Sequence, residues 1–256
     1  MIKVSDVLSF LEDYAPYNLA ESWDNNGLLV GDNDSKITKI LCALDVTEEV
    51  LNEAIDKNCN LIIAHHPLIF TSVKTVTTSD VTGRIILKAI KNDVSIICMH
   101  TNLDCADNGV NDALALKIGL NNIQNLGAGD SLSLGRFGNL DIESQFDDFL
   151  DLVKEKLGAN GLKYVGNNNV YKVAVLGGSG GKLIDFAVKN FADTYLTADC
   201  TYDVFQKAQN LGINLIDAGH FATENVICET IKDKITEKFG NIIEISVKHK
   251  DIINFR

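Results

Sequence analysis

The chain has 256 residues, 46% of them hydrophobic, which is ample for a buried core in one large domain or two modest ones. Its formal net charge of -12, with no basic run to offset it, argues against nucleic acid or an anionic membrane surface as a partner. The longest apolar runs are too short to span a bilayer, and the N-terminus turns amphipathic at once instead of reading as a signal peptide, so the expected compartment is the cytosol.

Apolar residues at Val7, Leu8, Leu11 and Tyr14 recur with a helical period and predict a helix over 5–14, with Ser5 as its N-cap. Residues 39–44 read as a buried strand, and Thr47 opens a helix striped by Val50, Leu51, Ala54 and Ile55. The next strand, 61–64, runs straight into His65, His66 and Pro67, and the proline stops the ladder there. A helix over 82–91 leads to a strand over 94–99 that ends at His100 and Asp104, and a helix at 109–118 follows. The stretch 122–142, rich in Gly, Ser and Asn, is a candidate boundary. Beyond it the pattern predicts a helix over 144–157, a strand over 172–176 entering Gly177-Gly178-Ser179-Gly180-Gly181, and a helix over 182–190. Strands at 195–197 and 213–216 flank a helix over 203–211, and a helix from about 222 to 238 and an alternating strand over 242–247 complete the pattern. Strands separated by helices predict an α/β fold with largely parallel pairing and right-handed crossovers. In such sheets the ligand sits beyond the carboxyl ends of the strands, and every polar cluster here falls at such an end. Cys42, Cys59, Cys98, Cys105, Cys200 and Cys228 form no C-x-x-C pair and sit mostly among apolar neighbours, as reduced core thiols do.

Three clusters carry chemistry. His65 and His66 stand at a strand end, where the alternation of a strand need not hold and the two rings can splay toward neighbouring ions; alone, such a pair is more often a surface or core pair. Asp104 offers a carboxylate able to bridge two cations, and His100 is a candidate ligand, support or substrate contact. Asp107, Asn108 and Asp112 lie close by, Asp112 reading as a solvated helix residue. His220 and Glu224, at i,i+4 on one helix face, suit a metal, or else are a helix-entry His with a surface Glu. Together, three imidazoles and two carboxylates are too many for one catalytic zinc and about right for two ions of Zn, Fe or Mn. His249 stands apart and is expected to be structural. The Gly177–Gly181 segment is either a phosphate-cradling turn, without the Walker spacing, or a tight packing turn.

Several motifs now read together. Glu21-Ser-Trp23-Asp24-Asn-Asn-Gly27, His65-His66-Pro67-Leu68-Ile69-Phe70, His100-Thr101-Asn102-Leu103-Asp104, Gly109-Val-Asn-Asp112, Gly177-Gly-Ser-Gly180 and Asp217-Ala-Gly-His220-Phe-Ala-Thr-Glu224 resemble, in order, those of the NGG-interacting-factor-three-like family, over about residues 5–250. Its bacterial members are commonly named type 2 GTP cyclohydrolase I homologues. The resemblance implies two α/β lobes, here 1–127 with 221–256 and 128–220, and a dinuclear metal centre between them. It implies His65, His66, Asp104, His220 and Glu224 as the ligands, and a ring-shaped homohexamer, a trimer of dimers. One segment departs: Ala198 and Asp203 stand where relatives typically carry Gly and His.

The function implied is hydrolysis of a purine nucleotide. GTP would be opened at C8 with loss of formate to give dihydroneopterin triphosphate, and His100 is the first candidate for proton transfer. The alternatives are a two-metal phosphoesterase or nucleotide hydrolase, and a non-catalytic metal-binding regulatory or scaffold protein.

Overall fold

The computed structural model describes residues 1–127 and 134–256. The elements of the first stretch are α1 (Val4–Tyr14), β1 (Gly27–Val30), β2 (Ile40–Ala43), α2 (Glu48–Asp56), β3 (Leu61–Ala64), α3 (Val81–Lys91), β4 (Ser95–Cys98) and α4 (Thr101–Cys105). The second stretch carries α5 (Val110–Lys117), β5 (Asn121–Asn125), β6 (Arg136–Ser144), α6 (Phe146–Leu157), β7 (Lys163–Val165), β8 (Val170–Ser179), α7 (Ile184–Lys189), β9 (Thr194–Ala198), α8 (Tyr202–Leu211), β10 (Asn214–Asp217) and α9 (His220–Glu224). Finally come α10 (Ile227–Phe239) and β11 (Ile243–Ile245). The chain divides into two compact units, residues 1–106 with 228–250, and residues 107–227 with 251–256. Among the described residues no helix is long and apolar enough to cross a membrane.

The first unit holds a five-stranded sheet in the order β1-β4-β3-β2-β11. β11, β2, β3 and β4 are parallel, and β1 runs antiparallel to β4. Every residue of β2, β3 and β4 is buried, as expected of strands covered on both faces. One face presents Leu41, Ala43, Ile62, Ala64 and Ile96 to Val50, Leu51 and Ala54 of α2 and Ile85, Ile86 and Ala89 of α3. Cys42 belongs to the opposite face and meets Cys228 of α10. Thr47 caps α2 as expected, its hydroxyl accepting from Val50 N at 3.1 Å. Ser5 is not a cap: α1 starts one residue earlier, and Asp6 accepts the Lys3 N–H at 2.8 Å. β11 ends before 247 because the buried Glu53 carboxylate accepts the N–H groups of Val247 and Lys248, both at 3.0 Å.

The second unit holds a six-stranded sheet in the order β5-β6-β8-β9-β10-β7. Only β8, β9 and β10 are mutually parallel; β5 with β6, β6 with β8 and β10 with β7 pair antiparallel, so largely parallel pairing describes the first sheet and not this one. Val173, Val175, Leu196 and Ile216 face Leu114 of α5 and Phe149 and Val153 of α6. Ala174, Leu176, Tyr195 and Leu215 face Ile184 and Ala187 of α7 and Val204 and Ala208 of α8. Glycine and asparagine made 122–142 look like a boundary, but it contains most of β5 and most of β6; the division expected at residue 128 falls outside the described residues. The compact units divide at 106/107, 227/228 and 250/251. β5 completes the second sheet, and the last residues belong there too, with Asn160 Nδ2 donating to Ile253 O at 2.7 Å.

Candidate metal centre

In the first unit the parallel register sets the site. Ala43, Ala64 and Cys98 are aligned neighbours at the carboxyl ends of β2, β3 and β4. The residues just beyond them, Asp45, His65, His66 and His100, therefore emerge side by side. Gly27 pairs with Cys98, so the antiparallel β1 brings Asp24 to the same edge. The rings of His65 and His66 lie 5.1 Å apart, His65 and His100 5.3 Å, and His66 and His100 5.8 Å. One ring nitrogen from each lies within 4.8 Å of the others.

Every one of these rings has its Nδ1 engaged. His65 Nδ1 donates to the Met99 carbonyl at 2.8 Å, His66 Nδ1 to Asp45 Oδ1 at 2.8 Å, and His100 Nδ1 to Asp24 Oδ1 at 2.7 Å. With the proton held on Nδ1, the lone pair of each neutral ring lies on Nε2. A carbonyl or carboxylate behind the ring is the usual support of a metal-binding histidine. His65 is fully buried, and its Nε2 stands 3.6 Å from Asp104 Oδ1. The Cys98 thiol donates to the His65 carbonyl at 3.0 Å and fixes that strand end; burial pushes this thiol well up.

Asp24 is a heavily bonded carboxylate. It accepts from His100 Nδ1, from the Thr101 N–H at 3.0 Å and the Thr101 hydroxyl, from its neighbour Asn25 N at 2.8 Å, and from Asn26 Nδ2 at 2.9 Å. Burial alone would raise its pKa, but the bonds from His100 and Thr101 outweigh it and hold the carboxyl well below the usual range. The pair therefore keeps a permanent anion behind His100.

The second unit repeats the device. β9 and β10 are parallel and in register at Thr197 and Asp217, so Asp199 follows one strand end and His220 the next. His220 Nδ1 donates to Asp199 Oδ2 at 2.7 Å, and His220 Nε2 lies 3.0 Å from Glu224 Oε2 one turn on. Glu224 is 4% exposed, which removes the surface-residue alternative. The helix expected from 222 to 238 is two helices, α9 and α10. Thr223 binds back to the Gly219 and His220 carbonyls, both at 3.0 Å, a pattern that bends helices.

The glycine segment, which ends β8 and leads out of it, is read from its N–H groups. Gly177 N donates to Asn111 Oδ1 at 2.8 Å, Gly178 N to Thr223 Oγ1 at 3.0 Å, and Gly180 N to Thr197 Oγ1 at 3.1 Å. Three N–H groups that a phosphate cradle would need are consumed inside the protein, which favours the packing alternative, with the strand running on to Ser179. Gly178 has φ +66°, and a Cβ there would collide with the Glu224 carboxylate. The glycine thus gives the acid its room.

Asp112 is not a solvated helix residue. It takes the buried Arg136 guanidinium in a two-point pair, Nε to Oδ1 and Nη2 to Oδ2, both at 2.9 Å, and accepts Asn108 N at 2.8 Å. His249 is structural, as expected: its Nε2 accepts the Leu44 N–H at 2.9 Å, and burial pushes its pKa down to about 4. The six cysteines are unpaired by disulfides and buried. Ala198 is fully buried at the end of β9, and Asp203 is exposed and bonded to the Thr201 hydroxyl at 2.5 Å. Sequence reasoning assigned no role to Asp24, Asp45 or Asp199, the carboxylates behind His100, His66 and His220. For Asp45 and Asp199 the available signal was their place just after β2 and β9, at the edge where the histidines emerge; for Asp24, beside the unread β1, the pattern gave none.

The arrangement fits divalent cations on its chemistry. Buried or half-buried imidazoles are turned Nε2-outward by acceptors on Nδ1, with the carboxylates Asp104 and Glu224 beside them. Comparisons with known proteins match the chain over nearly its whole length. A Clostridium perfringens protein named GTP cyclohydrolase 1 type 2 homolog is 38% identical over 261 residues, covering 99% of this chain and all of that protein. A crystal structure of a Staphylococcus aureus hypothetical protein superposes with a TM-score of 0.92 at 33% identity, covering 99% of both chains. A Bacillus cereus protein related to NIF3 superposes with a TM-score of 0.93 at 29% identity, covering 100% of this chain and 99% of that one. The profile of the Duf34/NIF3 (NGG1p interacting factor 3) family matches residues 2–253, and the chain belongs to that family.

Proposed function

We propose that this chain is a dinuclear-metal-dependent hydrolase acting on a purine nucleotide, with the GTP cyclohydrolase reaction named for its relatives as the leading activity. In this proposal His65, His66 and Asp104 of the first unit, with His220 and Glu224 of the second, hold two divalent ions. The observation that carries it is the repeated support of the imidazoles: Nδ1 is bonded to Met99 O, Asp45, Asp24 or Asp199 in all four. Random surface histidines do not share such a pattern. When bound, paired cations supply Lewis acidity and a water acidic enough to ionise near neutral pH.

The chain's own residues have separable tasks. Asp45 and Asp199 orient His66 and His220, and the Met99 carbonyl orients His65. His100, with Nδ1–H fixed on ionised Asp24, holds and passes a proton at Nε2, which suits proton transfer to a leaving group. As a further part of the proposal the protein assembles as a homohexamer, a trimer of dimers, in the cytosol; a monomer by light scattering would refute that assembly.

The test pairs metal analysis with a nucleotide panel assayed for formate and for phosphate. Two ions per chain in the wild type, a reduced content in Glu224→Gln with its circular dichroism retained, and formate release with a pterin signal are expected. Phosphate without formate would make the protein a phosphoesterase instead. Failure of the fully metallated protein to turn over any nucleotide would favour a regulatory or scaffold role.

A further inference from the structure

Trp23 and Phe70 are large apolar side chains that the first unit leaves in water, 57% and 56% exposed. Single exposed apolar residues are ordinary. These two are not single: their ring centroids are 5.7 Å apart with the planes tilted by 56°. Both also border His100, Trp23 at 6.1 Å and Phe70 at 6.3 Å, each ring nearly perpendicular to the imidazole. The result is an aromatic shelf at the edge of the three-histidine cluster.

The shelf is fastened from both sides. Trp23 directly precedes Asp24, whose carboxylate is bonded to His100 and Thr101. Phe70 lies in the segment between β3 and α3, and Asn25 Nδ2 donates to the carbonyl of the preceding Ile69 at 2.6 Å. The same short segment, 23–26, thus holds one aromatic ring, anchors the other and orients His100. Beside Phe70 opens a cavity of about 310 Å³, lined by Leu68, Ile69 and Phe70 and, on its polar side, by Thr71, Lys74 and Asp80. Asp80 Oδ1 is committed to capping α3 through Gly83 N at 2.7 Å. The size is at the low end for small-molecule sites.

We propose that Trp23 and Phe70 form the stacking platform for the flat heteroaromatic ring of the ligand, setting it beside His100, and that the cavity next to Phe70 takes the part of the ligand attached to that ring. The proposal rests on the functional reading above in placing a nucleotide at this site, and adds which residues select it. Stacking on aromatic faces depends on the ring's flatness and polarisability, not on its hydrogen-bond pattern. The shelf therefore separates rings from non-rings and discriminates little between guanine and adenine.

Trp23 is the one tryptophan of the chain, so selectively excited tryptophan emission reports on the shelf alone. Guanosine, adenosine, GTP and inorganic tripolyphosphate are titrated into the full chain, once stripped with EDTA and once loaded with zinc. Guanosine, adenosine and GTP should quench Trp23 saturably, and tripolyphosphate should not. Phe70→Leu should weaken guanosine binding by about fivefold or more, with the thermal transition unchanged. Absence of saturable quenching by any ring in both metal states would overturn the proposal, as would equal guanosine affinity in Phe70→Leu. Trp23 emission already blue-shifted and shielded from iodide in the native protein would also overturn it, by placing the shelf under another copy of the chain. A metallated protein that binds guanosine at Trp23 but hydrolyses no nucleotide would refute the reaction and keep the shelf.

Discussion

Replacing His249 by glutamine should remove most of the acid sensitivity of the first unit between pH 6.5 and 5. The His249 ring is half-buried, and its Nε2 accepts the Leu44 N–H at 2.9 Å, so a proton on that nitrogen breaks a bond to the backbone. Burial is the largest cause that lowers its pKa from 6.5 to about 4, and the neighbouring His66 adds to it; Asp45 and Glu53 oppose. Above pH 6.5 neither the folded nor the unfolded chain holds this proton. Between 6.5 and about 4 the unfolded chain binds more of it, so stability falls as the pH falls; below about 4 both bind it and the loss stops. At about 1.36 kcal/mol per pH unit this amounts to about 2 kcal/mol at pH 5 and about 3 kcal/mol at pH 4. These are upper figures, because water screens part of the charge on a half-buried ring. Glutamine keeps an acceptor for Leu44 and does not titrate. Urea unfolding of both proteins in EDTA, at pH 8 and pH 5, can be followed by Trp23 emission, since Trp23 and His249 share a unit. The wild type should lose about 1–2 kcal/mol more than the variant between the two pH values. Equal losses would refute the reasoning. Glu53 does not confuse the window: burial raises its pKa, but its bonds to Lys57, Ser246, Val247 and Lys248 outweigh this and hold it at about 2, so its contribution is lost at lower pH, from about 4.5 downward.

Gly178→Ala should destabilise the second unit by about 1–2 kcal/mol or more, since a left-handed alanine at φ +66° also drives its Cβ into Glu224. Calorimetry with metal analysis checks it, and an unshifted transition with full metal content would sink the explanation of this turn. Asp45→Ala and Asp199→Ala should behave in the opposite manner. Their side chains are 48% and 46% exposed, so stability should move by about 0.5 kcal/mol or less, while metal affinity measured against a chelator falls about tenfold to a hundredfold. Unchanged affinity in both would remove their supporting role.

The periodic elements were legible in the sequence because their burial is one-sided or complete. The stripes of α2 and α3 and the apolar runs of β2, β3 and β4 identify themselves from local pattern, and Pro67 marks a strand end. β1, β5, β6 and β7 were not legible. β5 reads Asn-Asn-Ile-Gln-Asn and β7 Lys-Tyr-Val, edge strands whose side chains are mostly exposed, so no apolar pattern marks them; their pairing partners alone make them strands. The second sheet's antiparallel pairs went unseen for the same reason, since pairing direction is not written in any one strand. The break between α9 and α10 falls at 225–226, beyond the Thr223 hydroxyl's bonds to Gly219 and His220, and periodicity does not register it.

The candidate ligands themselves could be named from sequence, because histidines next to apolar strands, with carboxylates at helical spacing, are rare enough to stand out. Residue type and place along the chain determine that much: an α/β chain whose imidazoles cluster at strand carboxyl ends. Only the tertiary structure decides what each nitrogen does. Asp24, Asp45 and Asp199 are separated from their histidines by 76, 21 and 21 positions, and the register of neighbouring strands, antiparallel for Asp24 and parallel for the other two, brings them to hydrogen-bonding distance. The same holds for the glycine turn, whose local sequence fits an anion cradle as well as a tight corner. Its N–H groups were assigned by Asn111, Thr223 and Thr197, residues from distant elements, since a hydrogen bond depends on distance in space and a sequence records only distance along the chain.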